Sequence, residues 1–112
     1  MTTVFGLIIE GKIPCKKVYE DDQILAIEDN HPAAPVHILI MPKKAIRDLQ
    51  SVEPKDLPLI QQIVAVAQKL AAQFEIEDGY RLVTNNGAEA GQSVFHLHFH
   101  LLGGEKLLDR IG

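Results

Sequence analysis

Apolar residues recur through the middle of the chain with the period of a helix. Leu57, Ile60, Ile63, Val64, Ala67, Leu70, Ala71 and Phe74 follow i, i+3, i+4 spacing, one stripe about five turns long. Gln61, Gln62, Gln68 and Lys69 fall mostly away from it. Proline cannot sit deep in a helix, so Pro58 puts the start near Asp56, with the proline in the first turn. Glu77-Asp78-Gly79 is the exit turn. A second, short helix is predicted over residues 3–10, where Val4, Phe5, Ile8 and Ile9 share a face. Thr2 or Thr3 can cap it, Gly11 can stop it, and Ile13-Pro14 ends the segment.

The remaining apolar runs read as strands. Residues 16–20 and 23–28 form a hairpin about Asp21-Asp22. Residues 29–35 are a loop marked by Pro32 and Pro35, and residues 36–41 are a strand stopped by Pro42. Residues 80–84 and 94–102 are the last strands, separated by a polar, glycine-containing loop and ended by Gly103-Gly104. Helix, three strands, long helix and two strands predict an α+β fold with a mostly antiparallel sheet. No repeat or linker interrupts it, so residues 1–112 are expected to form a single domain.

Composition narrows the partners. The net charge of −4 comes from interspersed acids and bases, and Lys43-Lys44 is a pair rather than a patch, so neither nucleic acid nor a membrane is an expected partner. No apolar run approaches the ~20 residues of a membrane span. Met1-Thr2-Thr3-Val4-Phe5-Gly6 lacks the basic start of a secretion signal, and Cys15 has no partner for a disulfide. A cytoplasmic location is the expectation.

Four of the five histidines fall in predicted strands: His37, His96, His98 and His100. With period two, Phe95, Leu97, Phe99 and Leu101 take one face of the last strand and the three imidazoles take the other. Imidazoles add nothing to packing there and cost β-propensity, which leaves three readings. They are structural histidines; or they hold a metal, with neighbouring imidazoles ~7 Å apart at the backbone and His37 as a third ligand, although no HExxH, CxxC or nearby carboxylate completes such a site; or they perform covalent phosphoryl chemistry. A neutral imidazole is a competent nucleophile when an acceptor holds its other nitrogen, and donors must bind the anion. His98 sits mid-strand with a histidine on each side, Gly91-Gln92-Ser93 precedes it and could offer backbone N–H groups and a hydroxyl, and Asn85 ends the adjacent strand.

His96-Leu97-His98-Phe99-His100-Leu101-Leu102 resembles the motif of the histidine triad (HIT) superfamily, His-x-His-x-His followed by two apolar residues. Phe5-Gly6, Ile8-Ile9, Ile13-Pro14, Tyr19-Glu20-Asp21-Asp22, Asp29, Ala34-Pro35-Val36-His37, Ile40-Met41-Pro42-Lys43, Gly79-Tyr80-Arg81, Asn85, Gly87 and Gly91-Gln92-Ser93-Val94-Phe95-His96 extend the likeness to the Hint branch, the purine nucleoside phosphoramidases. The resemblance implies a five-stranded antiparallel sheet with one short and one long helix, dimerising into a ten-stranded sheet, with Ile63, Val66 and Leu70 between the subunits. It implies hydrolysis of purine nucleoside phosphoramidates of the AMP type, with no cofactor and no catalytic metal. His98 would be the nucleophile, His96 would orient it by carbonyl and ring, His100 would bond the phosphate, Ser93 would contact the leaving group, and His37 would complete the cluster. Asp29 would accept the ribose hydroxyls and Asn85 would contact sugar or phosphate. Gly91, Gln92 and Val94 would border the phosphate, while Val4, Phe5, Ile8, Ile27 and Leu39 would line the base pocket; the alternative for these apolar residues is ordinary core, and for Leu39 core is the favoured reading. Dinucleotide polyphosphate hydrolysis and a sensor or scaffold role share this scaffold, and the residues alone do not separate them. The chain departs from the branch in its tail, residues 105–112, which has no tryptophan or proline, in Glu105 after Gly104, in Asn30 beside the base pocket, and in Cys15 without a partner cysteine.

Overall fold

The computed structural model of this chain describes residues 2–108, among which two α-helices, five strands and three short 3-10 turns make up the regular structure. The end of the atypical tail, residues 109–112, lies outside the described residues. Helix α1 (Val4–Ile9) is capped by Thr3, whose Oγ1 accepts from the Gly6 N–H at 3.1 Å, and the chain leaves it through Gly11 at φ +79°. Six residues are too few for a helix to persist alone. This one is held by burying Phe5 and Ile8 against Leu25, Ile27, Leu39 and Met41.

Strands β1 (Lys17–Glu20), β2 (Ile24–Glu28), β3 (Val36–Pro42), β4 (Tyr80–Val83) and β5 (Phe99–Gly103) form one antiparallel sheet in the order β1-β2-β3-β5-β4. Ile24 to Ile27 of β2 are all buried because both faces of the sheet are covered. Ile24, Ala26, Ile38, Ile40, Phe99 and Leu101 face the long helix α2 (Leu57–Gln73), and Leu25, Ile27, Leu39 and Met41 face α1. In the β3–β5 register Leu39 lies opposite His100 and His37 opposite Leu102. His37 and His100 are therefore diagonal neighbours on the α1 face.

Three sequence expectations need correction. The buried face of α2 is Leu59, Ile63, Val66, Ala67, Leu70 and Ala71, while Leu57 and Val64 stay exposed, at 56% and 41%. Apolar residues occupy so much of this helix's circumference that periodicity marks a stripe without marking its centre. Ile63, Val66 and Leu70, expected between subunits, are buried in the protomer's own core. The last strand starts at Phe99 rather than at residue 94. Residues 94–98 cross the segment after β3 instead of pairing with a strand, the Leu97 N–H bonding the Ile46 carbonyl at 2.7 Å. Phe95 consequently leaves the core and lies under the Arg47 guanidinium, 4.3 Å from its ring centre. Among the described residues no helix is long and apolar enough to cross a membrane.

Candidate active site

The irregular segment before β5 gives each imidazole a different environment. His96 is buried, 3% exposed, with Nε2 donating to the Pro42 carbonyl at 2.7 Å. Its ring is thus an internal brace and does not share an open face with the other two, as strict alternation predicted. Its carbonyl does meet His98, whose Nδ1 donates to it at 2.7 Å. A carbonyl only accepts, so the His98 proton sits on Nδ1 and Nε2 carries a lone pair. The Thr84 hydroxyl donates to the His98 carbonyl at 2.7 Å and holds the backbone here.

The second half of the cluster is tautomer-locked from the other end. The Ala33 N–H donates to His37 Nδ1 at 3.0 Å. A backbone N–H only donates, so His37 is neutral with its proton on Nε2, and that proton goes to His100 Nδ1 at 2.9 Å. His100 then carries its own proton on Nε2. The His98 and His100 rings are 5.1 Å apart, one offering a lone pair and the other an N–H. Burial holds His37, His96 and His98 below the ordinary imidazole range. Burial, reinforced by His98 and His37, pushes His100 down to about 4. All four rings are neutral at pH 7, the state a nucleophilic imidazole needs.

Asp29, at the end of β2, turns toward this cluster. Its Oδ1 accepts from the His31 N–H at 2.7 Å, and Oδ2 lies 3.5 Å from His37 Nε2. The sequence showed no carboxylate near the imidazoles, and folding supplies one. One carboxylate oxygen of Asp29 and one ring nitrogen each of His37 and His100 lie within 4.8 Å of one another, a spacing a metal ion could use. The hydrogen bonds work against it. A metal on His37 Nε2 needs that lone pair, which moves the proton to Nδ1, where it meets the Ala33 N–H. Metal-bound histidines instead donate from the second nitrogen.

The loop before the triad is braced by Gln92, which is 5% exposed. Its Oε1 accepts from the Gly87 N–H at 2.7 Å, and Nε2 donates to the Arg47 and Val94 carbonyls at 2.9 and 3.1 Å. This amide, expected beside a ligand, is committed to the loop. The Gly91 N–H likewise bonds the Ala88 carbonyl at 3.0 Å, and Gly91, at φ +93°, makes the turn. The N–H groups of Ser93 and Val94 take no part in the loop's hydrogen bonds, and Ser93 is exposed. Asn85 is half-buried at the end of β4.

Of the expected base-pocket residues, Phe5 sets its ring edge against His98, with centres 4.8 Å apart. Ile8, Ile27 and Leu39 are buried beneath it, and Val4 is 43% exposed. Val94 packs at the margin of the same cluster. A groove of about 930 Å³ runs between α1 and the segments 43–47 and 93–96, with Ser93, Val94 and His96 in its lining. His37, His98, His100 and Asp29 stand outside it. Sequence reasoning missed the two groups that fix the tautomers, the Ala33 N–H and the Pro42 carbonyl, because backbone atoms leave no mark on residue type. It also passed over Arg47, which a cation shortly after Pro42-Lys43-Lys44 signals weakly.

The comparisons agree with this geometry. The HIT domain model matches residues 10–107. An uncharacterized HIT-like protein of Chlamydia trachomatis is 54% identical over 104 residues, covering 93% of this chain and 94% of that protein. A HIT family hydrolase from Clostridium thermocellum superposes with a TM-score of 0.93 at 44% identity, over 97% of this chain and 96% of that one. A HIT family hydrolase from Legionella pneumophila gives 0.94 at 43% identity, over 97% and 98%. With its fold, its triad and nearly its whole length matched, this chain belongs to the HIT domain family.

Proposed function

We propose that the protein is a hydrolase of the Hint type that binds purine nucleoside 5′-phosphoramidates and cleaves them through a nucleotidyl-His98 intermediate. One observation carries the reading. The hydrogen bonds leave an unprotonated Nε2 on His98 and a protonated Nε2 on His100, on rings 5.1 Å apart. A lone pair beside a donor suits attack on a phosphorus whose oxygens are being bound. The names of the two structural relatives, HIT family hydrolases, agree with it.

In this reading the α-phosphate sits between His98 Nε2 and the donors on His100, Ser93 and the backbone N–H of Val94. His98 Nε2 displaces the amine, the Ser93 hydroxyl contacts the departing group, and water then releases the nucleotide from His98. His96 acts through its carbonyl, and His37 holds the tautomer of His100. Asp29 accepts the ribose hydroxyls, Asn85 contacts sugar or phosphate, and the base lies on Phe5 and Val4, with Ile8, Ile27 and Leu39 as the floor. Gly91 and Gln92 shape the phosphate loop without touching the ligand through their side chains.

Adenosine 5′-phosphoramidate is the test substrate, with AMP and ammonia as products. His98 must be neutral to attack, and its pKa lies below the ordinary value of 6.5. kcat/KM is therefore expected to be lost only on the acid side, with the midpoint of that limb below pH 6.5. EDTA should leave the rate unchanged; loss of activity on chelation would return the metal reading.

We also infer a homodimer. Leu57 and Val64 leave an apolar face of α2 without cover, and β4 is an open edge of the sheet beside β5. Sedimentation equilibrium is expected to give twice the 12.4 kDa chain mass at micromolar concentration; a monomer mass would remove the dimer.

A further inference from the structure

Asp29 stands closer to the histidines than a ribose ligand needs to. Its carboxylate is held by the His31 N–H through Oδ1, and this aims Oδ2 at His37 Nε2, 3.5 Å away, in a place where the carboxylate is about one-fifth exposed and the imidazole 7%. A carboxylate oxygen of Asp29 is within 4.8 Å of a ring nitrogen of His100 as well, and the His100 ring in turn packs 5.1 Å from that of His98. Among the described residues, no lysine or arginine is in ion-pair range of Asp29 to neutralise it. His37 is kept neutral by the Ala33 N–H. A standing negative charge is thus built into a group of uncharged rings.

We propose that Asp29 has a second task, resting on the nucleotidyl-His98 reading: its charge stabilises the imidazolium that His98 becomes when it takes the phosphoryl group. In that step the Nε2 lone pair forms the N–P bond. The P–N bond pair leaves with the amine, whose nitrogen has been protonated from solvent. His98 keeps its Nδ1 proton on the His96 carbonyl, so the ring gains one positive charge. An opposite charge in the same partly buried cluster favours such a cation, the more so where bulk water screens it less. The neutral His37–His100 pair links the two, with Asp29 Oδ2 3.5 Å from His37 Nε2, His37 Nε2 2.9 Å from His100 Nδ1, and the His100 ring 5.1 Å from that of His98. The direction agrees with the free protein, in which Asp29 raises His37, His98 and His100 against their burial. Asp29 is therefore a ribose ligand and an electrostatic partner of the nucleophile.

Two measurements on Asp29→Asn test this, a change that keeps the shape and the acceptor for the His31 N–H. The first compares adenosine 5′-phosphoramidate with its 2′,3′-dideoxy analogue. A ribose ligand alone has nothing to lose with the analogue. The charge predicts that kcat for the analogue still falls about ten-fold, the equivalent of one pKa unit. An unchanged kcat, with losses confined to KM for the ribose-bearing substrate, overturns the proposal. The second is a histidine NMR titration of the free protein. The His98 midpoint should move to lower pH by roughly half a unit to one unit, while His96, braced on Pro42, stays in place; an unmoved His98 midpoint overturns the proposal. If wild-type protein hydrolyses neither substrate, the phosphoramidase reading fails, and the titration decides the electrostatic coupling by itself.

Discussion

His98→Ala is expected to lower kcat by roughly 10⁴-fold or more, the scale seen when a covalent nucleophile is removed, while nucleotide affinity changes only a few-fold. No neighbour can replace it. The His96 ring is 3% exposed with Nε2 donated to Pro42, and the His100 lone pair is already accepting the proton of His37. The other three imidazoles of the cluster thus have the relevant lone pair engaged or lie in the interior, His37 accepting from the Ala33 N–H through Nδ1. Binding survives because ribose, base and phosphate contacts are assigned to Asp29, Phe5, Ser93 and the backbone of Val94. The fold survives because His98 is only half-buried and its ring makes one hydrogen bond, to the His96 carbonyl. Steady-state rates with adenosine 5′-phosphoramidate and calorimetric titration with AMP separate the two effects. A variant that turns over at a tenth of the wild-type rate would show that another group attacks.

Gln92→Leu is expected to give the largest structural effect among the site positions. The buried amide satisfies the Gly87 N–H and the Arg47 and Val94 carbonyls together. Leucine has about the right size and none of the partners, so three polar backbone groups lose a hydrogen bond in a place that is 5% exposed. Each such loss costs about 1–3 kcal/mol, and some of it is recovered as water enters, which makes about 3 kcal/mol overall a reasonable expectation. That is a large share of the ~5–15 kcal/mol that holds a domain of this size. The loop carries Ser93, so kcat/KM should fall as well, by about 10² if the phosphate donors move by an ångström. Urea unfolding read by circular dichroism measures the first effect and hydrolysis the second. Wild-type stability would mean that the loop stands without its brace.

Where a residue's environment follows from local period, the sequence was readable. The presence and extent of α2, the hairpin about Asp21-Asp22, and the burial of Leu97, Phe99 and Leu101 opposite the exposed edges of His98 and His100 all came from spacing and turn residues. Period failed where tertiary hydrogen bonds override it. Residues 94–98 look like strand, yet the Leu97 N–H goes to Ile46 and the His96 ring to Pro42, which turns that ring inward. The arc of α2 that meets the sheet was not legible either, because Leu57, Ile60 and Val64 are as apolar as Leu59, Ile63 and Val66. At the site, residue type marked His98, His100, His37 and Asp29. What joins them is a register, His37 diagonal to His100 across β3 and β5, together with the backbone N–H of Ala33, which has no signature in a sequence.

The proposed reaction passes through a bond between His98 Nε2 and a nucleotide's phosphorus. Rapid acid or denaturant quench during turnover of adenosine 5′-phosphoramidate, followed by intact-mass and peptide mass spectrometry, looks for that bond directly. The expected result is a transient mass gain of one adenylyl group, mapped to His98 and lost in His98→Ala. Turnover proceeding at full rate with no adduct at any quench time, or with the adduct on another residue, would contradict it.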